Sequence, residues 1–513
     1  MSPLPITAHG FGWTHAGRSQ PAFSGLDLRI EAGERVLLVG ASGAGKSTLL
    51  HAIAGVLPEE SGDAEGTLLV GDAPPAAARG VTGLVLQDPD SQVILARVGD
   101  DVAFGMENLG VPAERIPARA REALETVGLP VGLDHPTRAL SGGQKQRLAI
   151  AGVLAMDPGV IVLDEPTANL DPAAVPSVRD AVLAAQERSE ATLVVVEHRL
   201  EIWADHVDRV LVMGPHGLVA DGTPEAVLQD ARLRSSLEAA GLWLPGVVPD
   251  PAYVPRPAGE AVLTAEQVAV ARPGAHPAAV ISAEVHPGRA LALTGPNGAG
   301  KSTAALTLAG LVPEASGAVR ASESLLAGPH RPRSAQPSRW RSRALVSRVG
   351  MVFQEAEHQF LRHTVADELA WGPRRAGLSQ AQTTARVDAM LERLRLTSLA
   401  QAHPQTLSGG EKRRLSVACM LSAAPRVLVV DEPTFGQDAV TWKELAAMFA
   451  EQLDEGRAVV AVTHDEPFVR VLGADRLEFG PAADAAGAGA VASAAGGTVA
   501  RAGAAQEQED ARG

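Results

Sequence analysis

The sequence predicts an α/β chain built as two phosphate-loop nucleotide-binding domains in tandem. Two observations predict it. One ordered set of short motifs occurs twice, and each set opens on a glycine-rich loop that follows an apolar run and precedes a helix-like segment. The first set is GASGAGKST from Gly40, Gln87, LSGGQ from Leu140, VIVLDEP from Val160 and His198. The second is GPNGAGKST from Gly295, Gln354, LSGGE from Leu407, VLVVDEP from Val427 and His464. Gln87 and Ser141 stand 54 residues apart, as do Gln354 and Ser408, and both Ser141 to Glu165 and Ser408 to Glu432 span 24. Spacing this regular marks a duplicated domain.

Length agrees with duplication, since 513 residues at roughly 150 per domain give three or four compact units. Aromatic residues are only 3% of the chain, with Tyr253 the single tyrosine, so the cores must be built from Ala, Val and Leu. A net charge of −15 argues against broad nucleic-acid binding, which needs Lys and Arg to displace counterions from phosphates. No stable nucleic-acid complex is expected. The lone cysteine, Cys419, has no partner in the chain for a disulfide and reads as a small core side chain. Met1 to His15 lacks the basic start and apolar stretch of a secretory signal, and no run of about 18 apolar residues occurs. The chain is therefore expected in the cytoplasm, with any membrane role peripheral.

The stretch from Leu244 to Glu260 carries five prolines and no helical periodicity, and reads as a semi-extended linker. It divides a first domain, 1–243, from a second, 261–480. The Ala/Gly-rich, low-complexity stretch of 481–513 cannot supply a packed core and reads as a disordered tail. Within the first domain Val36–Val39, Ile161–Leu163 and Leu193–Val196 are short apolar runs of the kind that form buried parallel strands. Asp100 to Ala155 and Asp367 to Ser422 read as mostly helical insertions.

Gly40–Thr48 and Gly295–Thr303 fit the pattern G-x-x-x-x-G-K-[ST]. Backbone N–H groups of Gly40, Ser42, Gly43 and Gly45, and of Gly295, Asn297, Gly298 and Gly300, would curl around phosphates at a helix N-terminus. Lys46 or Lys301 would reach the β- and γ-phosphates, and Ser47 or Ser302, followed by Thr48 or Thr303, would bind magnesium. A glycine-rich turn with a solvated lysine is the bland alternative for one such match; two in register weigh against it. Asp164 and Asp431 end apolar runs, placing a carboxylate where the magnesium of a bound triphosphate would sit. Glu165 and Glu432 follow directly and suit the activation of water, a role worth about 10²- to 10⁴-fold in rate. A lone Asp-Glu pair is more often a strand-to-loop turn.

LSGGQKQR at Leu140–Arg147 and LSGGEKRR at Leu407–Arg414 resemble the signature sequence of ATP-binding cassette ATPases. The resemblance covers residues 5–235 and 262–480. It implies, for each copy, an α/β core, an antiparallel β subdomain and a helical subdomain, with ATP and Mg2+ bound. It also implies head-to-tail sites within one chain, so that a homodimer is not required. One site would pair Lys46, Asp164, Glu165 and His198 with Ser408, Gly409 and Gly410; the other would pair Lys301, Asp431, Glu432 and His464 with Ser141, Gly142 and Gly143. Such serines and glycines open a helix and can donate hydrogen bonds to a γ-phosphate. By the same resemblance Gln87 and Gln354 are γ-phosphate and magnesium sensors, His198 and His464 are switch histidines, and Asp171 and Asp438 lie on the loop that crosses to the opposite site. Trp13 matches the aromatic residue that stacks on adenine. The second copy has no aromatic around Val270–Arg272, leaving Arg272 as the candidate.

QDPDSQVI from Gln87 and QEAEHQFL from Gln354 resemble the glutamine-helix segment of energy-coupling-factor ATPases. VEHRLE from Val196 and PTFGQD from Pro433 look like fused cassette subunits of cobalt or thiamine-precursor importers. This implies a transmembrane transporter subunit and a substrate-binding membrane subunit as partners, at the cytoplasmic face of the membrane. The residues after the glutamines, Asp88–Gly105 and Glu355–Gly372, would grip that partner with Val93, Ile94, Leu95, Phe360 and Leu361. The alternative is that these side chains pack inside the helical insertions. Tandem-cassette translation factors share the motif order, but that family joins its cassettes by a long charged helix, whereas this linker is short and proline-rich. DNA-repair relatives carry zinc-binding cysteines, which one cysteine cannot supply.

Overall fold

Uninterrupted runs of Val, Leu and Ile, such as TLVVV at Thr192–Val196 and VLVVD at Val427–Asp431, form strands buried along their whole length, as parallel sheets covered on both faces require. The computed structural model describes the chain except for residues 1, 19, 42, 78–79, 168–169, 171–173, 215, 245–252, 273, 329, 481–489 and 496–513. The chain divides into two compact units, Met1–Val248 with Phe435–Glu444, and Pro249–Thr434 with Leu445–Gly513. The main division falls inside the proline-rich stretch.

The first unit contains β1 (Ile6–His15), β2 (Phe23–Ile30), β3 (Arg35–Gly40), β4 (Gly62–Val70), β5 (Thr82–Val85), β6 (Val160–Asp164), β7 (Thr192–Val196), β8 (Arg209–Gly214) and β9 (Gly217–Gly222). One sheet has the order β5-β6-β7-β3-β8-β9, parallel throughout except for the β8–β9 hairpin. Its strands β3, β6 and β7 contain the three expected runs. The other sheet, β2-β1-β4, is antiparallel. Along β2, FSGLDLRI buries alternate residues, the mark of a sheet with one face on the core. Between β5 and β6 the helices Val98–Asn108, Ile116–Thr126 and Gly142–Ala155 build the expected insertion.

The second unit repeats the plan with β10 (Leu263–Val270), β11 (Ala279–Val285), β12 (Ala290–Thr294), β13 (Ser316–Ala321), β14 (Val349–Val352), β15 (Val427–Asp431), β16 (Ala458–Val462), β17 (Asp475–Glu478) and β18 (Ala490–Ala495). Its helical insertion comprises Val365–Arg375, Gln380–Arg393 and Gly409–Ala423.

Within the stretch expected to lack ordered structure, β18 pairs antiparallel with β17 and parallel with β11, joining the strands into one sheet of order β13-β10-β11-β18-β17-β12-β16-β15-β14. Strand pairing needs only backbone groups, so an alanine-rich segment can cover the edge of β17 as β9 covers that of β8. Residues 481–489 and 496–513 lie outside the described residues. The end of the linker is fixed to the second unit: the buried Tyr253 hydroxyl donates to Gly288 O at 2.6 Å, and Arg256 Nη2 donates to Asp454 O at 2.8 Å. Cys419 is only partly accessible, and burial pushes its thiol well above its ordinary pKa, in keeping with a core role.

Candidate active site

Each phosphate loop leaves the C-terminal end of a central strand, β3 or β12, and turns into a helix at Lys46 or Lys301. Gly45 and Gly300 make that turn with left-handed backbone, φ 87° and 95°. A Cβ on Gly45 would lie 2.6 Å from a ring carbon of Phe23 and 2.9 Å from Ala22 O, so only glycine fits. Lys46 Nζ folds back to Gly40 O (2.9 Å) and Ala41 O (3.0 Å), and Lys301 Nζ to Gly295 O (2.6 Å) and Pro296 O (2.8 Å). Burial pushes the Lys46 ammonium below its ordinary pKa, against the nearby Glu165 and Asp164 charges. Ser42 lies outside the described residues, as does Asp171.

Asp164 and Asp431 end β6 and β15. Burial raises both pKa values, while hydrogen bonds from Ser47 and Ser302 lower them in part. Among the described residues Asp164 Oδ1 is buried without a hydrogen-bond partner. A buried carboxylate oxygen with nothing to accept, beside a serine hydroxyl and a phosphate loop, fits a hard divalent cation.

Glu165 and Glu432 extend the ladder by one bond, from their N–H groups to Val196 O (2.9 Å) and Val462 O (2.8 Å), and then adopt left-handed backbone with φ 46° and 49°. Such a conformation is uncommon for a non-glycine residue and occurs at matching positions of both units. The Glu165 carboxylate meets His198 Nε2 at 2.8 Å and accepts from Gln87 Nε2 at 2.9 Å. Although burial would raise it, His198 and Lys46 hold the Glu165 carboxyl below its ordinary pKa. In the second unit His464 Nε2 stands 3.9 Å from Glu432 and 3.1 Å from Asn297 Oδ1. Burial, with Asp431 adding to it, pushes Glu432 up to about 7.

The structure thus brings Lys46, Ser47, Gln87, Asp164, Glu165 and His198 together in one unit, and Lys301, Ser302, Asp431, Glu432, Asn297 and His464 in the other. Gln354 is exposed, and its backbone carbonyl accepts from Arg413. Ser141 and Ser408 are N-caps closed by capping boxes with Gln144 and Glu411, so each LSGG segment opens its helix as expected.

Trp13 departs from expectation. Its ring, 6% exposed, belongs to the core of β1, β2 and β4, lying over Gly62, where a Cβ would come within 2.9 Å of it. Its indole N–H donates to His15 Nδ1 at 3.3 Å, and His15 Nε2 lies 3.2 Å from Thr48 Oγ1. The ring expected to stack on adenine is therefore covered and reaches the phosphate loop through His15. Arg272 is exposed.

Residues at equal intervals of 267, the interval from Gln87 to Gln354, play matching parts that no motif announced. Gln92 accepts from Leu86 N–H (2.9 Å) and donates to Leu84 O (3.3 Å); Gln359 does the same with Phe353 N–H (3.3 Å) and Met351 O (2.7 Å). Each amide splints the strand end that leads to the candidate sensor glutamine. Asp101 Oδ1 accepts from Ile94 and Leu95 N–H (2.9 and 2.8 Å), and Glu368 Oε2 from Leu361 and Arg362 N–H (both 2.7 Å). Those clamps present Ile94 and Leu361 to solvent, 61% and 70% exposed, while Val93, Leu95 and Phe360 are partly buried. Glu197, buried beside His198, accepts from Thr167; the second unit has Thr463 there. The repetition itself was the available signal for the clamps.

A doubly wound sheet, a glycine loop gripping its own lysine and a carboxylate pair at the sheet edge, all occurring twice, define a tandem phosphate-loop ATPase. The chain belongs to the ABC transporter family, whose model matches residues 23–168 and 279–435. It is 34% identical to "Putative HMP/thiamine import ATP-binding protein YkoD" of Bacillus subtilis (strain 168), over 90% of this chain and 88% of that one. A "Putative ABC transporter ATP-binding protein" of Methanosarcina acetivorans is 32% identical, over 86% of this chain and 79% of that one. A solved archaeal ribosome recycling factor, in complex with a ribosomal stalk protein, superposes with a TM-score of 0.58 at 18% identity, over 95% of this chain and 89% of that one, and shows the shared fold alone. The chain is an ATP-binding ATPase of the transporter class. Among the described residues no helix is long and apolar enough to cross a membrane.

Proposed function

We propose that this ATPase powers uptake of a vitamin, vitamin precursor or metal ion as the energy-coupling subunit of an importer, docked peripherally on the cytoplasmic side of a transmembrane subunit that works with a substrate-binding membrane subunit. The carrying observation is the pair of clamped tips: Ile94 and Leu361 occupy equivalent positions, directly after the candidate sensors, and both are held outward by a carboxylate of the neighbouring helix. A large apolar side chain fixed in water twice by the same device suits a protein contact. The name of the Bacillus relative, which refers to HMP and thiamine import, supports the choice of cargo class.

In this reading ATP lies between the phosphate loop of one unit and the LSGG helix of the other. Lys46 and Lys301 leave their carbonyl partners for the β- and γ-phosphates. Ser47 with Asp164, and Ser302 with Asp431, would hold Mg2+, with Gln87 and Gln354 as further candidate ligands. The cation would neutralise phosphate charge. Glu165 and Glu432 orient and deprotonate the attacking water, while His198 and His464 hold glutamate and γ-phosphate in register. The test is purification of the intact complex from membranes followed by reconstitution in liposomes. ATP-dependent uptake with a co-purified multi-spanning protein supports the reading; co-sedimentation with ribosomes and no membrane partner would replace it with the translation role.

A further inference from the structure

Among the buried positions at which the two LSGG helices differ, one exchanges a neutral amide for a guanidinium. Arg413, 7% exposed, donates from Nη1 to Phe353 O at 3.0 Å and to Asp431 O at 3.2 Å, and from Nη2 to Gln354 O. One guanidinium therefore joins three pieces of chain: the LSGG helix, the segment that leaves β14 at the candidate sensor, and the end of β15 one residue before Glu432. The matching residue of the first unit, 267 positions earlier, is Gln146. Its Nε2 reaches the single carbonyl of Leu86, at 3.5 Å, and its Oε1 is buried with no partner among the described residues.

A buried cation is costly unless its donors are satisfied. Burial pushes the Arg413 guanidinium below its ordinary pKa, and the Asp431 and Glu432 charges oppose that shift. Its planar fork meets several carbonyls at once, which neither the Gln146 amide nor a lysine ammonium can reproduce in the same plane.

We infer that Arg413 is a positioning residue of the second unit, holding the backbone of Gln354 and of the Asp431–Glu432 turn in one frame, and that Gln146 leaves the first unit without that frame. The two halves are then unequal in chemistry although their motifs match. Gln354 is carried by its backbone, whereas the Gln87 side chain is tied to Glu165. This inference rests on the reading of Glu432 as the base of the second unit.

The experiment uses the full-length chain in a Glu165→Gln background, which leaves turnover to the second unit. Arg413→Gln installs the residue the first unit already carries. It should lower kcat about tenfold while changing the ATP KM by less than about twofold, the pattern of a group that acts on the transition state. Arg413→Lys should recover only a small part of that loss. A kcat within about twofold of the background for Arg413→Gln would overturn the inference. So would full recovery by Arg413→Lys, or a parallel loss of nucleotide binding, kcat and melting temperature, since those outcomes describe a bulk charge or a core-packing residue. Glu432→Gln in the same background is the control for the underlying reading: if it leaves turnover intact, the base assignment itself fails, whatever Arg413 does.

Discussion

Glu165 Oε1 lies 2.8 Å from His198 Nε2, whereas the equivalent atoms of Glu432 and His464 are 3.9 Å apart. The first glutamate is also held by Gln87; in the second unit Thr463 donates to Glu432 at 3.2 Å. His198 thus restrains its glutamate directly, and His464 shares itself with Asn297. With the opposite glutamate changed to glutamine, His198→Ala should lower single-turnover phosphate release at least tenfold, and His464→Ala by about threefold. Equal losses would show that ATP binding erases the difference between the two pairs.

Ser141 and Ser408 each cap a helix, and their segments are the ones proposed to meet the γ-phosphate bound at the other unit's phosphate loop. Replacing a capping serine by alanine costs about 1 kcal/mol. Ser141→Ala should therefore lower the melting temperature by about 2–4 °C for a unit of this size. In the composite-site reading it should also slow turnover at the Lys301 phosphate loop, measured with Glu165→Gln present, and leave turnover at the Lys46 loop unchanged. Differential scanning calorimetry and phosphate release separate the two effects.

Ile94 and Leu361 are the apolar tips proposed to dock on the membrane partner. Ile94→Glu and Leu361→Glu should stay folded and bind ATP, because the side chains stand in solvent and the Asp101 and Glu368 clamps act through backbone N–H groups. Co-purification with the membrane subunits should fall at least tenfold. Retained association and transport would place the docking surface elsewhere. Phe360→Glu is a poorer probe, since Phe360 is partly buried and its replacement also burdens the fold.

Strands, loops and carboxylates were legible because each carries a local signal: unbroken Val/Leu/Ile runs for buried parallel strands, glycines where φ must be positive, an Asp-Glu pair at the end of a strand. The left-handed backbone of Glu165 and Glu432 was not legible, because nothing in a glutamate announces it. Nor were the Gln92 and Gln359 splints, whose partners are backbone groups of strand ends several residues away. Trp13 shows the converse limit: its position on β1 could be aligned with a stacking aromatic, yet its burial depends on Gly62 across the sheet. Composition concealed β18, since alanine and glycine give no periodicity, although β9 offered a precedent in the first half.

The central claim is that two glutamates drive ATP hydrolysis from sites completed within one chain. Its most direct test is steady-state phosphate release by the purified chain with Mg2+ over a wide dilution range, alongside Glu165→Gln/Glu432→Gln. Activity per chain should be independent of concentration, and the double variant should lose at least about 10²-fold in turnover while still binding ATP. Hydrolysis that falls steeply as a dimer dissociates would contradict the intrachain pairing, and unchanged hydrolysis in the double variant would remove the glutamates from the mechanism.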